Sequence, residues 1–213
     1  MLFRSLINDP ASTPIRMTTD VDVIAEVATY GQYANLGERL RGLGFLEDGS
    51  EGAPICRWVA GGLKLDVMPT LECVLGFANR WYADAIRQSL SHQLAPDLAI
   101  RVVTGPYFLA TKFEAFLTRG RGDYYESHDL EDLIAVLDGR RELVDEVHAA
   151  ADDVRGFLAE RFAKLVGDPR FMESLPGQFL PDDVSQKRSG VVLARMRAIA
   201  KDSAPSRQTH AAG

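Results

Sequence analysis

Two hydrophobic periods alternate along the chain. Short β-branched runs, alternating or continuous, read as strands, and apolar residues three or four apart read as helices. Arg16-Met17-Thr18-Thr19-Asp20-Val21-Asp22-Val23-Ile24 is the first strand candidate. Residues 30–42 set Tyr33, Leu36 and Leu40 at helical spacing and end at Gly42 and Gly44, a glycine stop. Phe45 and Leu46 open a strand ahead of the polar turn 47–52. Residues 55–59 and 63–68 flank Gly61-Gly62, the pattern of an antiparallel hairpin, and the second strand stops at Pro69. An aromatic loop, 75–82, leads into a helix expected to reach about His92, and 98–103 reads as a strand closed by Gly105-Pro106.

Beyond Pro106 the pattern turns helical. Residues 107–118 carry Leu109, Phe113 and Phe116 on one side, and Arg119-Gly120-Arg121-Gly122-Asp123 breaks the helix. Ser127 reads as the N-cap of a helix over 129–137, with Asp129 and Glu131 at its positive end and Leu130, Leu133, Ile134 and Leu137 as its buried stripe. One long helix is expected over 142–166 and a last one over 184–199. The opening residues up to Ile7 read as the last turns of a helix stopped by Asn8-Asp9-Pro10. The expected class is α/β (α+β): a small mixed-sheet core over 1–105, a helical C-terminal half over 106–202 and a disordered tail over 203–213.

Composition narrows the setting. With 213 residues, 46% hydrophobic and 25% charged, the chain can bury a sizeable core. A net charge of -6 argues against a broadly basic nucleic-acid coat and leaves room for a local basic patch. Cys56 and Cys73 have neither zinc-ligand nor CxxC spacing, and no apolar run approaches the roughly 18–20 residues of a spanning helix. A cytoplasmic protein with free thiols and no membrane partner is expected.

The candidate chemistry begins at Asp20 and Asp22. On a strand, residues i and i+2 project from one face, so both carboxylates point the same way. Like charges that close are eased by a proton or a cation, which suggests a divalent-metal site; a solvated edge-strand face is the plainer alternative. Asp66, on the second hairpin strand, offers a third acid. Three such acids suit Mg²⁺ (or Mn²⁺) and phosphoryl or nucleotidyl transfer, with Asp66 as a ligand or as the base nearest the acceptor hydroxyl. Lys112, Arg119 two helical turns later, and Arg16 are candidates for binding phosphate; Lys112 also reads as a snorkelling lysine and Arg16 as the partner of an acid. Asp129 and Asp132 share a helix face and either complete the site or, for Asp129, complement the helix dipole. The four histidines form no metal-ligand spacing, and no Walker A, Gly-x-Ser-x-Gly or dinucleotide fingerprint is present. A general metal-dependent hydrolase would call for histidine or acid clusters that the sequence lacks.

Thr19-Asp20-Val21-Asp22-Val23, Leu65-Asp66-Val67, Phe108-Leu109-Ala110-Thr111-Lys112-Phe113-Glu114-Ala115-Phe116 and His128-Asp129-Leu130-Glu131-Asp132-Leu133 occur in that order. Together they resemble the minimal nucleotidyltransferases of the AbiEii/AbiGii toxin type, in the polymerase-β-like superfamily, over roughly residues 1–165. The resemblance implies a nucleotidyltransferase core followed by a helical half, with Mg²⁺-dependent transfer of a nucleotide from NTP to an acceptor such as tRNA or a protein. It also implies a role as the toxin of a toxin–antitoxin or phage-defence pair, restrained by a cognate antitoxin. By motif, Asp20, Asp22 and Asp66 are the catalytic acids and metal ligands, Lys112 contacts the triphosphate, and Asp129 or Asp132 sits near the catalytic centre. The family pattern also has a Gly-Gly or Gly-Ser turn about a dozen residues before the first acid, and residues 1–9 contain no glycine. Two expectations follow: a start upstream of Met1 that carries the turn, or an impaired, nucleotidyltransferase-like module that binds a protein or RNA.

Overall fold

The computed structural model describes residues 6–13, 20–118 and 123–201. Its architecture is mixed α/β, as the alternating periods predict. Strand β1 (Asp20–Ala25) pairs in parallel with β4 (Leu63–Pro69), and β3 (Arg57–Ala60) and β2 (Leu46–Glu47) follow in the order β1-β4-β3-β2. The β3–β4 hairpin turns through Gly61 and Gly62 at φ 54° and 85°. A two-residue turn of this kind needs positive φ at both central positions, which glycine adopts without steric cost.

Parallel partners need a crossover, and α1 (Tyr30–Gly42) supplies it. Thr29 caps this helix, its hydroxyl accepting from the Gln32 backbone N–H at 3.2 Å. Gly37 lets the helix lie against the indole of Trp58, which a Cβ would approach to 3.1 Å. Val27, Tyr33, Leu40, Trp58, Val67 and Val74 form the small core between α1, the sheet and α2 (Glu72–Leu75). The Tyr33 hydroxyl donates to the Val67 carbonyl at 2.9 Å, and burial pushes its pKa up to about 12. Because strand side chains alternate, Val23, Ala25, Leu65 and Val67 turn toward this core, while Asp22, Ile24, Asp66 and Met68 line a cleft on the other face.

The helix expected to reach His92 stops earlier: α3 spans Tyr82–Arg87, and His92 lies in β5 (Leu90–Ala95). From Leu90 the chain turns back on itself, and pairing with β6 (Leu98–Val102) wins over helix continuation. Arg101 ties the hairpin to the end of α3, donating to Ser89 Oγ at 2.7 Å and to the Ile86 carbonyl at 3.1 Å.

The larger core is helical. Helix α4 (Gly105–Thr118) buries Leu109, Ala110, Phe113 and Phe116 and is flanked by α5 (His128–Gly139), α6 (Leu143–His148) and α7 (Asp152–Gly167). Phe113 packs edge-on against Phe162 with ring centroids 4.8 Å apart. Ser127 caps α5 as expected, accepting from the Leu130 N–H at 3.4 Å. The long helix expected over 142–166 is instead α6 and α7, broken at residues 149–151. Three alanines give no local reason to stop; Val147 and Val154 are both buried on either side of the break, and Asp152 and Asp153 stand at the new positive end. Short α8 (Pro169–Ser174) and a 3-10 turn, Leu175–Gln178, lead to α9 (Asp183–Ala200), close to the expected last helix. Trp81 and Ala85 also join this core, and Ile24 of β1 packs against it, so the sheet and the helices meet along the cleft.

The expected terminal helix up to Ile7 falls mostly on residues outside the described ones, and residues 7–9 are not helical. Residues 6–13 instead run over the C-terminal end of α5: Asn8 and Asp9 donate backbone N–H groups to the Gly139 carbonyl at 2.9 and 2.8 Å. Asp9 accepts from Arg141 at 2.9 Å and Arg188 at 3.0 Å, and Arg188 also donates to Asp138 at 2.6 Å. The expected tail, 203–213, lies outside the described residues.

Candidate functional site

Asp20 and Asp22 are carried on β1, and the parallel register sets Asp22 directly beside Asp66 of β4. The expected trio of acids is therefore drawn from two adjacent strands. It opens on a cleft of about 1060 Å³ between the sheet and the helices, which Lys112, Asp129 and Asp132 line from the far side. Arg16 and Arg119 lie outside the described residues.

Arg57 holds the centre of the sheet side. Its Nε and Nη2 donate to the two oxygens of Asp66, both at 2.8 Å, and Nη2 stands 3.7 Å from Asp20. The hydrogen bond to Asp66 is the main reason its pKa is raised further, so the guanidinium is permanently charged. No signal from the chemistry of Arg57 alone singles it out in the sequence. The hairpin register does: Gly61-Gly62 pairs Ala60 with Leu63, and counting back pairs Arg57 with Asp66.

Lys112 bridges the other side. Its ammonium lies 2.7 Å from Asp132, 3.5 Å from Asp129 and 4.0 Å from Asp22, and 5.8 Å from the centroid of Phe108. Burial pulls its pKa down, but Asp132, Asp22 and Asp129 together outweigh this and raise it, so it stays a cation. The snorkelling alternative is thereby set aside: the head group points into the cleft and is largely buried, with its side chain 16% exposed. Asp129 is buried at the start of α5, so it serves the helix end and the lysine together.

The acids differ in how open they are. Asp22 is half-exposed, whereas Asp66 is enclosed behind Arg57. Among the described residues no three His, Cys, Asp or Glu side chains stand close enough to hold a metal ion together. The Arg57–Asp66 contact takes one lone pair of each Asp66 oxygen and sets a positive charge beside them. The donor chemistry still suits Mg²⁺, a hard ion that needs only one or two carboxylates when phosphate and water complete its shell; Asp20 and Asp22 are the residues that would hold it. His128 pairs with Glu131 at 3.0 Å and His92 sits on an exposed strand. Cys56 is buried and Cys73 exposed.

No family model matches the chain, and no curated protein matches it. Among the described residues no helix is long and apolar enough to cross a membrane.

Proposed function

We propose that the protein is a Mg²⁺-dependent nucleotidyltransferase of the AbiEii/AbiGii type, working in the cytoplasm as the toxin of a toxin–antitoxin or phage-defence pair. The observation that carries this reading is the meeting of four separate sequence blocks at one cleft: Asp20 and Asp22 beside Asp66, facing Lys112 with Asp129 and Asp132. Asp20 and Asp22 would hold Mg²⁺ or Mn²⁺, which supplies charge neutralisation on the phosphates when bound. The acceptor hydroxyl, on tRNA or a protein, forms a bond to the α-phosphorus of the NTP as the bond to pyrophosphate breaks, and its proton passes to a carboxylate at the cleft. Lys112 offers a cation to the triphosphate, and Asp129 and Asp132 hold its ammonium in place until the anion arrives. The cytoplasmic setting rests on the two unpaired cysteines.

The test is transfer of label from each NTP, with Mg²⁺ and total RNA, to an acceptor. Asp22→Asn is expected to lower transfer by about 100-fold or more by removing a metal ligand. Full activity in that variant overturns the site assignment, and no transfer from any NTP overturns the enzyme reading. The second reading, a module that binds without catalysis, is favoured by the internal pairing of the acids with Arg57 and Lys112. It predicts nucleotide or RNA binding with no label transfer.

A further inference from the structure

We infer that Arg57 is a positioning residue that keeps Asp66 out of the metal-binding set until an anion draws the guanidinium away. The inference rests on the proposed metal-dependent reading of the cleft. Three observations carry it. The Arg57–Asp66 contact is two-pronged at 2.8 Å on both oxygens, the strongest geometry available to such a pair. It is built into the fold, since Arg57 and Asp66 are direct partners across the β3–β4 hairpin rather than two flexible surface chains. The same guanidinium stands 3.7 Å from Asp20, so it reaches toward the first acid of β1 from the side occupied by the third.

A cation and a guanidinium compete for one carboxylate. With Arg57 on Asp66, a divalent ion meets Asp20 and Asp22 as its carboxylates and a positive charge nearby. When a polyphosphate enters, it offers the guanidinium a second anion of higher charge, and Asp66 becomes free to add its oxygens. Metal binding is then weak without nucleotide and strong with it, so the ion and the substrate are loaded together.

The experiment titrates Mn²⁺ alone into the full chain and counts bound ion by electron paramagnetic resonance, so no turnover is needed. Arg57→Gln is expected to bind Mn²⁺ about 10-fold more tightly than the native chain, the scale at which residues behind metal ligands act. That gain is expected to vanish in Arg57→Gln/Asp66→Asn, whereas a simple loss of positive charge would leave it intact. Arg57→Lys keeps the charge and loses the two-pronged contact, and an intermediate gain is expected. Far-UV circular dichroism and thermal melting establish that each variant is folded, and Arg57→Lys serves if the glutamine variant is not. Equal Mn²⁺ affinity in the native chain and the folded variants overturns the inference, as does a gain that persists without Asp66. If neither chain binds Mn²⁺, and Asp22→Asn changes nothing, the metal reading of the cleft falls and the inference falls with it.

Discussion

At the scale of single residues, environment decides behaviour more than residue type does. Cys56 and Cys73 look alike in the sequence, yet burial, with Asp66 adding to it, pushes the Cys56 thiol up to about 11. Only a thiolate reacts readily, and Cys56 is also enclosed, with 4% of its surface exposed. A thiol reagent at neutral pH is expected to label Cys73 quickly and Cys56 only after denaturation, read as one fast equivalent followed by a second. Two fast equivalents would show that the surroundings of Cys56 open readily. The acids and Lys112 were legible as candidates because paired aspartates on a strand, and a lysine among phenylalanines, are unusual enough to notice. Arg57 was not, since its meaning depends on what stands opposite it, and only the hairpin register supplies that.

At the scale of elements, local periodicity succeeds where one face of the element is buried and fails where packing overrides it. Helix α1 and the Gly61-Gly62 hairpin follow their patterns closely, because caps and turn glycines mark their ends. The α6–α7 break and the β5 strand do not, because alanine and a short, mostly exposed run are compatible with more than one structure. The end of α5 shows how tightly elements are fitted together. A Cβ at Gly139 would come within 2.5 Å of the Ile7 side chain, in the segment whose backbone donates to the Gly139 carbonyl. Gly139→Ala is therefore expected to lose about 1–3 kcal/mol in chemical denaturation, the range typical of overpacking. A loss within experimental error would mean that residues 6–13 can shift aside without consequence.

At the scale of the molecule, an ionic network fastens the first described segment to the last helix. Asp9 is shared by Arg141 and Arg188, and Arg188 also holds Asp138. The hydrogen bond from Arg141, with the Ala11 N–H and Arg188 adding to it, holds the Asp9 carboxyl well below the usual carboxylate range. A depressed folded-state pKa stabilises above the unfolded value of 3.8 and loses that contribution as pH falls toward the folded value. Thermal stability is expected to hold from pH 7 to about pH 5 and to fall below about pH 4. Asp9→Asn should cost about 1–3 kcal/mol at pH 7 and flatten the acid limb. Parallel acid limbs in the native and variant chains would assign the loss to other carboxylates. Sequence gave no hint of this network: its members are scattered from Asp9 to Arg188, and ion pairing leaves no periodic trace.

The parallel pairing of β1 with β4 also sets a schedule for the growing chain. Asp20 and Asp22 leave the ribosome early, but their strand has no β4 partner until Leu63–Pro69 has been made. Lys112 follows later, and the last of the cleft acids, Asp132, arrives on α5 later still. No fragment ending before α5 contains the whole cleft. Whatever chemistry the cleft performs is thus withheld from every chain that ends before α5.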